Sequence, residues 1–188
     1  STIKCQQAGY KTTMKFLITG ANGQLAREFL GALAGYQVEA LTKNQLDVSD
    51  IQAVSDAVSS CKPNIILNCS AYNLVDKAEN DLDAALRVNA NGVKNLASVS
   101  EKHHALLVHY STDYVFDGKK GAPYLENDSP APLQVYGISK LLGEYMALSY
   151  NPKTVVIRSN GVYGGRYGSR SKKGNFTLNI LREKKKKT

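Results

Sequence analysis

From Met14 onward the chain alternates between short apolar runs and helical patterns. Lys15-Phe16-Leu17-Ile18-Thr19 is a continuous β-type run that breaks at Gly20. Between Gln24 and Leu33 the apolar residues Leu25, Phe29 and Leu33 fall four apart, which places them on one face of a helix. Val38 to Leu41 predicts the next strand. Ser49-Asp50-Ile51-Gln52 pairs a Ser cap with a Gln three residues later, a capping box that starts a helix running to about Ser60. Ile65 to Cys69 predicts a strand, residues 81–103 a long helix and Ala105 to His109 another strand. A helix over 138–149 and a strand from Val155 to Arg158 complete the pattern. Strands apolar on both sides that alternate with helices imply a parallel sheet covered on both faces. With right-handed crossovers this is a doubly wound α/β sheet.

Composition narrows the class. Of 188 residues, 43% are hydrophobic and 21% charged, which excludes disorder, collagen and coiled coil. No apolar run approaches the roughly 18 residues that cross a bilayer. One domain with a real core is expected at this length. The net charge of +8 is unevenly spread: residues 151–188 hold eleven Lys or Arg against Glu183 alone, leaving −2 on residues 1–150. The basic excess includes Arg166, Arg170, Lys172, Lys173 and the run Lys184 to Lys187. A nucleic-acid-binding domain carries its basic stripe on folded elements, so this tail reads as a solvated terminus and nucleic acid is not an expected partner. Cys5, Cys61 and Cys69 form neither a disulfide framework nor a zinc motif. Residues 1–13 lack the apolar core of a signal peptide and read as an extension before a start at Met14, so the cytoplasm is the expected compartment.

Gly20-Ala21-Asn22-Gly23-Gln24-Leu25-Ala26 lies between the first strand and the first helix, where a dinucleotide loop belongs. Gly20 permits the tight turn, and Gly23 lets backbone N–H groups approach a pyrophosphate at the helix N-terminus. Ala26 takes the third small position. This is the NAD(P)-binding Rossmann arrangement. An acid at the end of the second strand would bind the ribose hydroxyls and repel a 2′-phosphate. Here that strand ends Ala40-Leu41-Thr42-Lys43-Asn44. Thr42 and Lys43 therefore favour NADP(H) over NAD(H), with Lys43 neutralising the 2′-phosphate, and Asp47-Val48 falls near the adenine edge.

Tyr136-Gly137-Ile138-Ser139-Lys140 sets a phenol and an ammonium one helical turn apart. Such a Lys favours the phenolate and lowers the Tyr pKa from about 10, so that the phenol exchanges a proton with a carbonyl oxygen near neutral pH. About one pair at this spacing arises by chance among eleven Tyr and eighteen Lys, so placement downstream of the glycine loop gives it weight. Ser111-Thr112, ending the preceding strand, supplies a hydroxyl donor for the substrate oxygen.

These segments resemble the extended short-chain dehydrogenase/reductase family, and within it the dTDP-4-dehydrorhamnose reductases. The resemblance runs from Met14 to about Ile180. It rests on GANGQLA, LDVSD, NCSAYNLVDKAE from Asn68, VNANGVKNLA from Val88, HYSTDYVFDG from His109 and VYGISKLLGE from Val135. It implies that Gly23, Gln24 and Leu25 line the pyrophosphate, Asp47 and Val48 the adenine, and Ser70, Ala71 and Tyr72 the riboses. It also implies that Tyr136 gives the proton, that Lys140 holds the nicotinamide ribose, and that Thr112 and Asp113 meet the sugar of a nucleotide-sugar substrate. Tyr110 and Asn89 fall on supporting positions, whereas His103, His104 and His109 read as structural.

Two features depart from the family. Gly161, in Arg158-Ser159-Asn160-Gly161, stands where the family has a Trp against the sugar. The chain also stops after Gly174-Asn175-Phe176-Thr177-Leu178, where the family's smaller sugar-binding lobe begins. Residues 14–160 are thus expected to form the dinucleotide-binding domain, and 161–188 the start of that lobe with a basic tail. The apolar edge left where the lobe docks implies self-association, in the simplest case a homodimer. The leading function is NADPH-dependent reduction of a nucleotide-linked 4-keto-6-deoxy sugar. The alternatives are a non-catalytic NADP-binding subunit, like the regulatory subunit of methionine adenosyltransferase, and a nucleotide-sugar epimerase.

Overall fold

The apolar runs become the strands of one parallel sheet. The computed structural model describes residues 13–162, so the expected extension and most of the expected lobe segment and basic tail lie outside the described residues. In chain order the elements are β1 (Lys15–Thr19), α1 (Gln24–Ala32), β2 (Gln37–Leu41), α2 (Ile51–Cys61) and β3 (Ile65–Asn68). Then come α3 (Val75–Ala78), α4 (Leu82–Leu86), a π-helical turn (Arg87–Asn91) and α5 (Gly92–Lys102). β4 (Leu106–Thr112), a 3-10 turn (Asp113–Val115), α6 (Val135–Tyr150) and β5 (Thr154–Ser159) follow. The strands stand in the order β2-β1-β3-β4-β5, every neighbouring pair parallel. The chain moves outward from β1 to β2 and then back past it to β3, so the carboxyl ends of β1 and β3 flank the point where a ligand crevice opens.

Each sheet face has its own core. On one, Leu17, Ile66 and Leu107 pack with Val54 and Val58 of α2 and with Val93, Leu96 and Val99 of α5. On the other, Ile18 and Leu67 pack with Ala26, Phe29 and Leu30 of α1. This second face is open at β5, where Val155 and Ile157 are 45% and 38% exposed. Among the described residues no helix is long and apolar enough to cross a membrane.

Local chemistry moves three boundaries. The cap of α2 is Asp50, not Ser49: its carboxylate accepts from the amides of Gln52 and Ala53 at 2.9 and 3.2 Å. Ser49 turns back instead, donating from its amide and hydroxyl to Asp47 Oδ1 at 2.9 and 2.7 Å. The expected long helix is divided by the π-helical turn, whose extra residue presents the buried Asn89 to its neighbours. Finally, α6 starts at Val135, whose amide donates to Glu79 Oε1 at 2.9 Å, so Tyr136 lies inside the first helical turn.

Candidate active site

The glycine loop closes the crevice at β1. Gly20 has φ +66°, and a Cβ there would sit 2.8 Å from the Cys69 carbonyl oxygen, so only glycine allows the loop so near β3. The Gly23 amide donates to the Gly20 carbonyl at 2.8 Å, and Ala21 donates to Leu41 O at 3.0 Å, tying the loop to β2. Gly23 is also the N-cap of α1 and offers no capping side chain, and no acid lies in the first turn. Beside it, Gln24 Nε2 is buried with no hydrogen-bond partner among the described residues. A helix start without a side-chain cap and an orphaned amide donor fit a pyrophosphate. Leu25 is half-buried and Ala26 fully buried against the sheet.

At the end of β2, Thr42 donates from its amide and hydroxyl to Gln45 Oε1 at 3.0 and 2.8 Å, and Lys43 is exposed. Glu39, the acid of this strand, reaches the Cys61 thiol instead of the crevice. The Asp47 carboxyl is held below its usual range by the Ser49 hydroxyl and amide. Asn95 Nδ2 donates to the carbonyls of Val48 and Ser49, each at 3.1 Å, fixing the turn at the expected adenine edge.

The segment after β3 is held from both ends. Thr19 Oγ1 donates to Asn68 Oδ1 at 2.9 Å, and the Ser70 amide donates to both oxygens at 3.2 Å. Ala71 is exposed. Asn89 accepts from the Tyr72 amide at 2.8 Å and donates to the Tyr72 carbonyl at 3.0 Å and to Ser139 Oγ at 2.9 Å. Burial drives the His109 pKa well down, so its imidazole is neutral. Asn68 Nδ2 donates to its Nδ1 at 3.1 Å, which assigns the proton to Nε2.

The carboxyl end of β4 meets α6. Lys140 is 2% exposed, and its ammonium donates to the Tyr110 carbonyl. Desolvation lowers its pKa to about 8, against the pull of Glu144. The Tyr136 phenol is raised above 10 by burial, while its contact with the Thr112 hydroxyl lowers it and Asp113 and Tyr114 raise it. The expected lowering by Lys140 is therefore not found. The ammonium is directed at the Tyr110 carbonyl, Glu144 one turn further along α6 acts on it through charge alone, and burial governs the phenol. Thr112 Oγ1 accepts from the Tyr114 amide at 3.2 Å and donates to Asp113 Oδ1 at 3.1 Å, with Thr112 buried and Asp113 exposed. Tyr110 faces the other side of the sheet, its ring 5.6 Å from that of Phe29.

Beyond Asp113 a cavity of about 630 Å³ is lined by Phe116, Tyr124, Glu144, Arg158 and Asn160 among others. Arg158 donates from Nε and Nη2 to the buried Glu144 carboxylate, the latter at 2.7 Å, and its guanidinium lies 5.0 Å above the Phe116 ring. Among the described residues, a side chain at Gly161 would meet nothing within 4 Å. Glu144, Arg158 and Gln45 were not among the residues singled out in the sequence. Glu144 had a signal, since it follows Tyr136 and Lys140 at the same four-residue spacing.

The sheet order, the glycine loop and the Tyr136–Lys140 helix together define a Rossmann-fold protein of the extended short-chain dehydrogenase/reductase type. Within that class, the chain belongs to the RmlD substrate binding domain family, whose sequence profile matches residues 14–188. It is 41% identical over 171 residues to the dTDP-4-dehydrorhamnose reductase of Aggregatibacter actinomycetemcomitans, covering 89% of this chain and 56% of that protein. With the dTDP-4-dehydrorhamnose reductase of Escherichia coli (strain K12) it shares 38% identity over 175 residues, 90% of this chain and 56% of that one. The crystal structure of dTDP-4-dehydrorhamnose reductase from Bacillus anthracis in complex with NADP superposes with a TM-score of 0.85 at 37% identity, over 93% of this chain and 61% of that chain. The chain thus spans a little over half the length of the curated relatives it matches.

Proposed function

We propose that this chain binds NADPH and forms the reducing half of a site for the 4-keto group of a nucleotide-linked 6-deoxy sugar, dTDP-4-dehydrorhamnose being the substrate its relatives' names indicate. The observation that carries this most is the meeting of Thr112, Tyr136 and Lys140 at the carboxyl end of β4, beside a glycine loop with an orphaned Gln24 amide. When bound, the nicotinamide would supply the hydride. A phenol raised above 10 is fully protonated at neutral pH, the form a proton donor to the sugar O4 needs. The Thr112 hydroxyl would orient that oxygen. Lys140 would hold the nicotinamide ribose, Gly23, Gln24 and Leu25 the pyrophosphate, and Thr42 with Lys43 the 2′-phosphate.

Residues 14–160 would then be the dinucleotide-binding domain and 161–188 the beginning of a sugar-binding lobe. The free thiols of Cys61 and Cys69 accord with a cytoplasmic site of action. Exposed Leu148, Val155 and Ile157 support a homodimer or a docked lobe. The test is NADPH consumption with dTDP-4-dehydrorhamnose, run beside Tyr136→Phe. Consumption that depends on Tyr136 supports the assignment. Binding of NADPH without any consumption, even at high enzyme concentration, would favour a non-catalytic subunit.

A further inference from the structure

Three successive turns of α6 address the last three residues of β4. Tyr136 meets the Thr112 hydroxyl, Lys140 donates to the Tyr110 carbonyl, and Glu144 accepts from the Ser111 hydroxyl. Residues four apart on a helix share a face, so the phenol, the ammonium and the carboxylate form one row. Gly143 lets α6 pack directly on the π-helical turn, since a Cβ there would run into the Asn89 carbonyl oxygen. The carboxylate at the end of the row is 3% exposed and is gripped from the edge strand by Arg158 Nε at 3.0 and 3.2 Å and by Nη2 at 2.7 Å.

We infer that Glu144 is a positioning residue for the Tyr136–Lys140 pair: tethered by Arg158 and Ser111, it is the counter-charge that keeps the buried Lys140 ammonium charged and seated on the Tyr110 carbonyl. This rests on the reductase reading of the site, in which the Lys140 charge serves the cofactor ribose. A buried ammonium with a single neutral partner tends to lose its proton. Desolvation acts on Lys140 in that direction, and Glu144 opposes it. The other groups around Lys140 do not replace that carboxylate. His109 of β4 is neutral, and Tyr136 of α6 is protonated. The π-helical turn offers the uncharged Asn89 to this helix, and Arg158 of β5 is itself a cation. Removing the Glu144 charge would take away the pull that opposes desolvation, which favours the neutral amine.

A purely structural strut between α6 and β5 would give the same result whichever end is cut. Lys140 can be titrated by NMR of the chain carrying labelled lysine side chains, without ligand, its signal assigned through Lys140→Arg. The wild-type midpoint should fall near the lowered value of about 8. Glu144→Gln should move it down by about one pH unit or more. Arg158→Gln breaks the same ion pair but leaves the carboxylate, so it should lower the melting temperature without lowering the midpoint. NADPH affinity of Glu144→Gln should recover as pH is lowered and Lys140 regains its proton, and Glu144→Asp should restore part of it at pH 7.5. An unchanged midpoint in Glu144→Gln, or an equal fall in both variants, overturns the inference. If Glu144→Gln does not fold, Glu144→Asp, which keeps the charge, should hold the midpoint near that of the wild-type chain, and a fall of about one pH unit or more there overturns the inference instead. Absence of NADPH binding by the wild-type chain would contradict the proposed function, while the ligand-free titration would still decide the role of Glu144.

Discussion

At the β1–β3 side of the sheet, Phe16, Ile18 and Leu67 lie beneath α1 at 8%, 0% and 5% exposure; at β5, on the same face, Val155 and Ile157 stay 45% and 38% exposed. The polar groups divide the same way. Beside the glycine loop, Thr19, Asn68 and Ser70 share one set of hydrogen bonds, and Tyr72 and Asn89 share a second. On the side proposed to take the sugar, a cavity opens past Asp113, and among the described residues a side chain at Gly161 would meet nothing within 4 Å. The half proposed to hold the cofactor is therefore built from contacts within this chain. The half proposed to take the sugar is open among the described residues, and the relatives the chain matches are nearly twice as long.

The largest effect expected from this contrast comes from completing the open half. Joining the chain to the remaining length of a reductase such as the one from Escherichia coli should raise turnover by orders of magnitude, since orienting reactants accounts for roughly 7–11 kcal/mol of a barrier. NADPH affinity should hardly change. Steady-state kinetics read the first effect, and sizing should show less self-association as Val155 and Ile157 are covered.

Next in size is the loss of the proton donor. Tyr136→Phe should cost about 10²–10⁴ in rate with NADPH affinity nearly intact, because the phenol acts on the reacting oxygen. Lys140→Ala should lose both rate and affinity. Single-turnover kinetics beside a fluorescence titration separate the two.

Smaller again is the pH dependence set by Lys140. Its folded pKa of about 8 lies below the ordinary 10.5, so between these values the unfolded chain binds a proton that the folded chain releases. Stability should rise with pH through that window and fall as pH drops back to 8. From pH 8 to 9.5 the gain is about 1–2 kcal/mol by urea unfolding. Lys140→Met should flatten it. The raised phenols of Tyr110 and Tyr136 titrate above this range.

The smallest effect falls on the exposed rim. Lys43→Glu should weaken NADPH several-fold and leave NADH nearly unchanged, since a single surface charge contact is screened by solvent. Parallel titrations of both cofactors check it.

What could be read from the chain follows the range of the interactions. β1, β3 and the glycine loop are local: a run of apolar residues, a positive-φ glycine and a helix start lie within a dozen positions. The π-helical turn was not legible, because it exists to bring Asn89 against Tyr72 and Ser139, 17 and 50 residues away. The cap of α2 was misplaced by one residue, since Ser49 and Asp50 are both good caps and only the turn at Asp47 decides between them. The Tyr136 phenol was expected to be lowered because spacing alone puts Lys140 on its face, but side-chain direction and burial govern its pKa. Arg158 carried no local sign of its partner 14 residues back.

The proposed function requires this chain alone to complete a dinucleotide site that accepts a 2′-phosphate. Fluorescence titration of the wild-type chain with NADPH and NADH tests it directly. Saturable one-to-one binding of NADPH is expected, tighter than NADH and lost in Lys140→Ala. No saturable binding, or equal affinity for the two cofactors, would contradict it.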